Sequence, residues 1–117
     1  MKSVLKFILR EYWPTLFHHI RSQKIVHDVM PTTFKDHAQQ LNTEHVVIDL
    51  GANAGYVSKF LAKSGATVHS FEPNKQAFEI LKRFTQKQKN IILYNKAAGI
   101  ENGTRKLYLH KNTYEES

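Results

Sequence analysis

The chain has 117 residues, which suits one domain and not two. With 41% hydrophobic and 23% charged residues it has ordinary globular usage, which excludes a wholly disordered tail, a collagen-like repeat or a bare linker. It contains no cysteine, so disulfides, thiolate catalysis and Cys-based zinc sites are excluded. Its 17 Lys and Arg against 10 Asp and Glu give a net charge of +7, a field that draws nucleic acid, anionic lipid or an acidic substrate.

No stretch is long and apolar enough to span a membrane. The first ten residues are interrupted by Lys6 and Arg10 and lack the pattern of a secretory signal. The expected setting is therefore intracellular, in the cytoplasm. Residues 3–12 read as an amphipathic helix with Val4, Leu5, Ile8 and Leu9 on one face. That face is expected to dock on its own domain, and a membrane surface is the alternative. Pro14 suits the start of a second helix through Leu16, Phe17, Ile20 and Lys24, and Pro31 marks a break. Residues 34–41 read as a short helical or loop segment. Residues 1–44 thus form a helical N-terminal segment, and the texture changes at residue 45.

His45-Val46-Val47-Ile48-Asp49-Leu50 is an apolar, β-branched run that suits a strand buried on both faces of a parallel sheet. Gly51-Ala52-Asn53-Ala54-Gly55 follows as a turn. A helix over residues 56–64 comes next, with Val57, Phe60 and Leu61 on one face and Gly65 to stop it. Residues 67–71 are a second strand. Asn74 is an N-cap for a helix over residues 75–88, whose stripe is Ala77, Leu81 and Phe84. Residues 91–95 form a third strand. Asn102-Gly103 signals a hairpin, and the alternation over residues 104–110 suits a hairpin strand with one face in solvent. The last residues, from 112, read as frayed. The fold class is α/β: a Rossmann-like parallel sheet of about three strands plus a hairpin strand, preceded by helices.

In open α/β sheets, ligands bind at the carboxyl ends of the strands. Gly51 to Gly55 lies at one such end, where glycines let backbone N–H groups approach an anion. Glu72 ends the next strand, 21 residues beyond Gly51. A carboxylate there is placed to accept hydrogen bonds from ribose hydroxyls. The dinucleotide fingerprint is incomplete, because Asn53 and Tyr56 stand at the second and third glycine positions. No phosphate loop of the G-x-x-x-x-G-K-[ST] type is present. A cofactor with ribose and no phosphate fits better than NAD or FAD, and S-adenosylmethionine is one. Its carboxylate would meet the loop N–H groups. A turn that merely packs helix on strand is the alternative for Gly51 and Gly55.

Three ordered segments carry a family resemblance. Val47-Ile48-Asp49-Leu50-Gly51-Ala52-Asn53-Ala54-Gly55-Tyr56 resembles the first motif of the FkbM-type S-adenosylmethionine-dependent methyltransferases. Phe71-Glu72-Pro73-Asn74, with Phe78 and Leu81, resembles the second. Asn95-Lys96-Ala97-Ala98-Gly99, then Asn102-Gly103, resembles the segment after the third strand. Together they span roughly residues 46–109. The resemblance implies that Gly51, Ala52, Asn53 and Gly55 shape the methionine end of the site. It implies that Asp49 braces the loop and faces the amino group, and that Glu72 holds the ribose beside Pro73 and Asn74. Lys96 and Ala97 would lie near the adenine. The implied reaction is O-methylation of a small molecule or sugar.

The family's sheet continues to a seventh strand, whereas this chain stops before the fourth. Residues 45–117 are thus expected to be the cofactor-binding half of a methyltransferase domain. The first strand would then be an exposed apolar edge, open to a partner chain completing the sheet. A non-catalytic remnant or partner-dependent half-domain is the alternative reading. A basic nucleic-acid-binding module rests on net charge alone. Lys75, Lys82, Arg83, Lys87, Lys89 and Lys96 face only Glu79, a pattern that also suits a solvated helix face. Displacement at a sulfonium methyl needs no nucleophilic side chain, and the sequence names no general base. None of the seven histidines forms an i, i+4 pair on a helix, so no metal site is expected.

Overall fold

A computed structural model of the protein describes residues 4–6, 8, 10 and 13–108. Of the helix expected over 3–12, the described positions 4–6, 8 and 10 are helical, and the rest, Leu9 included, lies outside the described residues. Val4, Leu5 and Ile8 are exposed, so the expected docking of this face on the domain does not occur at those positions. Among the described residues no helix is long and apolar enough to cross a membrane.

Helix α1 (Pro14–Lys24) starts with proline in its first turn, where no intrahelical donor is lost. It runs into a π-helical turn, Ile25–Val29, that ends in the extended Met30 before Pro31. Helix α2 (Thr32–Gln39) then fixes as regular helix the segment whose few apolar residues left it ambiguous in sequence. Strand β1 (Val46–Leu50), helix α3 (Tyr56–Ala62), strand β2 (Thr67–Phe71), helix α4 (Lys75–Phe84) and strand β3 (Ile91–Tyr94) complete the alternation. The expected helix over 75–88 stops at Phe84 and continues as turns.

The three strands form one parallel sheet in the order β1-β2-β3, an open α/β sheet of Rossmann-like type. The register sets Ile48 beside His69 beside Ile92, and Leu50 beside Phe71 beside Tyr94. Side chains alternate across a strand, so the two faces carry different sets. Val47, Val68 and Ile91 point into the core, where Ala38, Leu61, Ala62 and Val68 are buried and Phe34, Leu41, Val57 and Phe60 pack around them. Ala77, Leu81 and Phe84 bury the inner stripe of α4, as its periodicity predicts.

Two expectations need correction. The run over β1 is not buried on both faces: Val46, Ile48 and Leu50 are 65%, 64% and 58% exposed. The reason is that the core packs on the Val47–Val68–Ile91 face and leaves the opposite face, which also carries the exposed Ile92, uncovered; β1, paired only with β2, is in addition an edge. Nor do the described residues after 103 form the expected hairpin strand. Residues 104–108 are in no strand, and the sheet has three strands among the described residues. An Asn-Gly pair favours a turn but supplies no partner for the strand that follows it. The remainder of that expected strand, and the expected frayed end, lie outside the described residues.

Asn90 pins the sheet to the first crossover. Its side-chain amide donates to the carbonyls of Ala62 and Ala66, each at 2.8 Å. Gly65 ends the α3 turn at φ +92°. Gly51 and Gly55 also have positive φ, with different surroundings. A Cβ on Gly55 would sit 2.6 Å from Leu81 Cδ1 and 3.0 Å from Thr85 Cγ2, whereas one on Gly51 meets nothing within 4 Å. Gly51→Ala should therefore cost only the left-handed backbone penalty, about 1–2 kcal/mol. Gly55→Ala adds a steric clash with α4 and should cost roughly another 1–3 kcal/mol. Urea unfolding of both variants checks the ordering; equal losses would contradict it.

Candidate functional site

The site is built where two parallel strands end side by side. The chain leaves β1 at Leu50 and turns through Gly51 to Gly55 into α3. Next to it, β2 ends at Phe71 and the chain passes Glu72-Pro73-Asn74 into α4. The N–H groups of Gly51 and Ala52 both donate to the Phe71 carbonyl at 2.9 Å, so the loop continues the strand pairing. The loop closes on itself through Gly55 N–H to Ala52 O at 2.9 Å. Ala52 and Ala54 are buried beneath it.

Glu72 joins the two segments. Its Oε1 accepts from the Asn53 N–H and its Oε2 from the Asn74 N–H, each at 2.8 Å. Asn53 is the one described residue other than glycine with positive φ, at +50°. Asparagine tolerates that conformation better than most residues. Charge-assisted bonds of this kind are stronger than neutral ones. Asn74 caps α4 by accepting from the N–H of Gln76 at 2.9 Å and of Ala77 at 3.3 Å. Both Glu72 and Asn74 are buried, and Pro73 between them is partly so. Asn95, at the end of β3, donates its side-chain amide to the Glu72 carbonyl at 2.8 Å and to that of Pro73 at 3.3 Å.

Gly51, Ala52, Asn53, Gly55, Glu72, Pro73 and Asn74 thus come together at the ends of β1 and β2. Lys96 and Ala97 lie just past β3 in an exposed irregular segment, and Asn95 before them ties it to Glu72. Two implied details differ. The N–H groups of Gly51, Ala52, Asn53 and Gly55 are spent on protein acceptors, so they are not donors for a ligand carboxylate. Asp49 faces α3 rather than the loop: its Oδ2 accepts from Ser58 Oγ at 2.6 Å. Ser58 and Ser70 hydroxyls lie 2.6 Å apart and both side chains are fully buried. Since the single Ser58 proton goes to Asp49, Ser70 donates to Ser58. This chain of Ser70, Ser58 and Asp49 locks α3 onto β1 and β2. Sequence reasoning missed Ser58 and Ser70, and it named Asn95 within the third motif without giving it a role. A serine on the inward face of a helix, and an asparagine directly after an apolar strand, are the signals that mark them.

A second polar contact brings α1 to the loop. His18 Nδ1 lies 2.5 Å from the hydroxyl of Tyr56, the first residue of α3. Around them Phe17 and Phe84 make edge-on ring contacts with His18, and Phe84 another with Tyr56. Burial, helped by the Arg21 and Arg83 charges, lowers the His18 pKa to about 4. Burial pushes the Tyr56 phenol up to about 12. At neutral pH Tyr56 therefore donates and neutral His18 accepts. His69 bonds Tyr94 Oη at 2.9 Å within the sheet. Neither imidazole reaches the glycine loop as a base. Among the described residues no three His, Asp or Glu side chains converge to hold a metal ion.

The fold and site together define an α/β domain with a glycine turn and a clamped carboxylate at the carboxyl ends of adjacent parallel strands. No family model matches the chain, and no curated protein matches it.

The buried histidine sets a pH dependence. The folded pKa of His18 is about 4 against an ordinary 6.5. Between these values the unfolded chain binds the extra proton, so this contribution to stability falls as pH drops from about 6.5 to 4. Urea unfolding at pH 4.5, 5.5 and 7.5 should show the loss, and His18→Gln should flatten it. A variant with the wild-type pH slope would contradict the assignment.

Proposed function

We propose that the loop and Glu72 bind S-adenosylmethionine, and that the chain is the cofactor-binding part of an FkbM-type O-methyltransferase acting on a small molecule or sugar. The observation that carries this reading is the Glu72 carboxylate, held between the glycine turn and the α4 cap at the strand ends. Each of its oxygens accepts one backbone N–H, which leaves a second lone pair on each for a ribose hydroxyl. The position where Gly51 would carry a Cβ is open space, so the turn has room for a ligand beside it. The residues present therefore fit an adenosine-bearing group. Asn53 and Tyr56, standing where a dinucleotide fold has glycine, weigh against a pyrophosphate.

In this reading Glu72 orients the ribose, and Gly51, Ala52, Asn53 and Gly55 shape the methionine end. Pro73, Asn74, Lys96 and Ala97 border the adenosine. When bound, the cofactor supplies an electrophilic methyl on sulfur. What the chain contributes is position, since bringing donor and acceptor into line is itself a large share of such catalysis. No catalytic residue is assigned: Asp49, His18 and Tyr56 are each engaged in packing contacts.

The uncovered sheet face supports a second reading, a half-domain that works only with a partner. Parallel sheets are covered on both faces as a rule, and here Val46, Ile48 and Leu50 stand open beside the stacked Phe71 and Tyr94 rings. A further layer of polypeptide, from a partner chain, would cover them and pair with the β1 edge.

Calorimetric titration with S-adenosylmethionine, S-adenosylhomocysteine and NAD tests the first reading. The two sulfur cofactors should bind and NAD should not. Glu72→Gln should weaken binding about tenfold or more, the loss of a charged hydrogen-bond partner. Preference for NAD, or equal affinity in the variant, would overturn the role of Glu72. A folded chain that binds none of the three would favour the partner-dependent reading.

A further inference from the structure

Helix α1 has two apolar faces. Phe17 and His18 point inward and are buried, which accounts for its docking on α3 and α4. Leu16 and Ile20 are 47% and 49% exposed, and Trp13, just before the helix, is 59% exposed. Their i, i+3, i+7 spacing places all three on the side away from the core. Val4, Leu5 and Ile8, on the described helical positions before it in sequence, are exposed as well. Beside it lies an open groove of about 660 Å³ lined by Trp13, Leu16, His19, Lys59, Arg83 and Lys87, among others, with no acidic residue in its walls. Lys59 Nζ sits 4.2 Å above the Phe84 ring. Burial and the neighbouring Lys63 and Lys87 charges lower its pKa, a cationic crowding that an anion would relieve.

We propose that this face of the protein, the outer side of α1 with the Lys59–Arg83–Lys87 groove, binds the surface of an anionic membrane. The proposal is independent of the cofactor reading. Cations flanking a row of aliphatic side chains, with a tryptophan between them, match anionic headgroups above acyl chains. Tryptophan in particular prefers that boundary. A nucleic acid would satisfy the cations and leave the aliphatic row in water. A free phosphate would satisfy the groove alone.

Trp13 is the sole tryptophan, so its fluorescence reports on this face directly. The full chain is mixed with vesicles of phosphatidylcholine, with and without phosphatidylglycerol, and read by co-sedimentation and Trp13 emission. Binding and a blue shift are expected only with phosphatidylglycerol, and both should weaken as salt rises. Lys87→Gln should weaken binding about fivefold, the share of one cation near such a surface. Leu16→Ser with Ile20→Ser should abolish the blue shift. All three positions are exposed, and thermal melts of the variants confirm that each still folds. No sedimentation with phosphatidylglycerol vesicles would overturn the proposal. So would a shift reproduced by inorganic phosphate alone, or a duplex oligonucleotide that displaces the vesicles.

Discussion

One carboxylate holds the carboxyl end of this sheet together. The chain leaves two neighbouring strands there, and each exit exposes backbone donors that no strand or helix satisfies. Glu72 accepts one donor from each exit, Asn53 N–H from the first and Asn74 N–H from the second. A buried carboxylate without such partners would be costly, and buried N–H groups without an acceptor equally so. The arrangement settles both at once. The donor from the first exit belongs to Asn53, the left-handed residue of the turn, so Glu72 also anchors the backbone at that position. Asn95 extends the same junction to the third strand through the Glu72 and Pro73 carbonyls.

The rest of the domain divides by sheet face. On one side, α2 and α3 bury Val47, Val68 and Ile91, and the Asp49–Ser58–Ser70 chain fixes α3 in register with the strands. On the other side, β1 presents Val46, Ile48 and Leu50, and β3 presents Ile92, to solvent. Helix α1 stands apart from both, held to the start of α3 by His18 and Tyr56. The domain thus carries a clamped site at the strand ends, an uncovered apolar sheet face, and a cationic groove with an apolar rim along α1. These surfaces are distinct, so each can be altered without touching the others.

The alternation of strand and helix was legible because the punctuation is strong. Gly51 and Gly55 bracket the first turn, Gly65 stops α3, and Asn74 caps α4. The bounds of β2 follow from its β-branched and aromatic content alone. Burial on both faces of β1 was not legible, because an apolar run records what a strand can bury and not which neighbours it has. The hairpin strand after Asn102-Gly103 failed for a related reason: a turn signal is local, and a strand needs a partner. At the site, the closeness of Glu72 to the glycine turn followed from their spacing and strand order. That its oxygens hold Asn53 and Asn74 did not, because backbone direction at a left-handed residue is invisible in residue types. The roles of Ser58, Ser70 and His18 depend on long-range approach and were likewise hidden.

The claim that Glu72 organises the site is tested most directly by amide hydrogen exchange at Asn53 and Asn74. Both amides should be protected in the wild type, although they lie outside the strands. In Glu72→Ala both should exchange fast, while the amides of Val68 and Leu81 in the core stay protected. Fast exchange at Asn53 and Asn74 in the wild type, or protection that survives the substitution, would contradict the account.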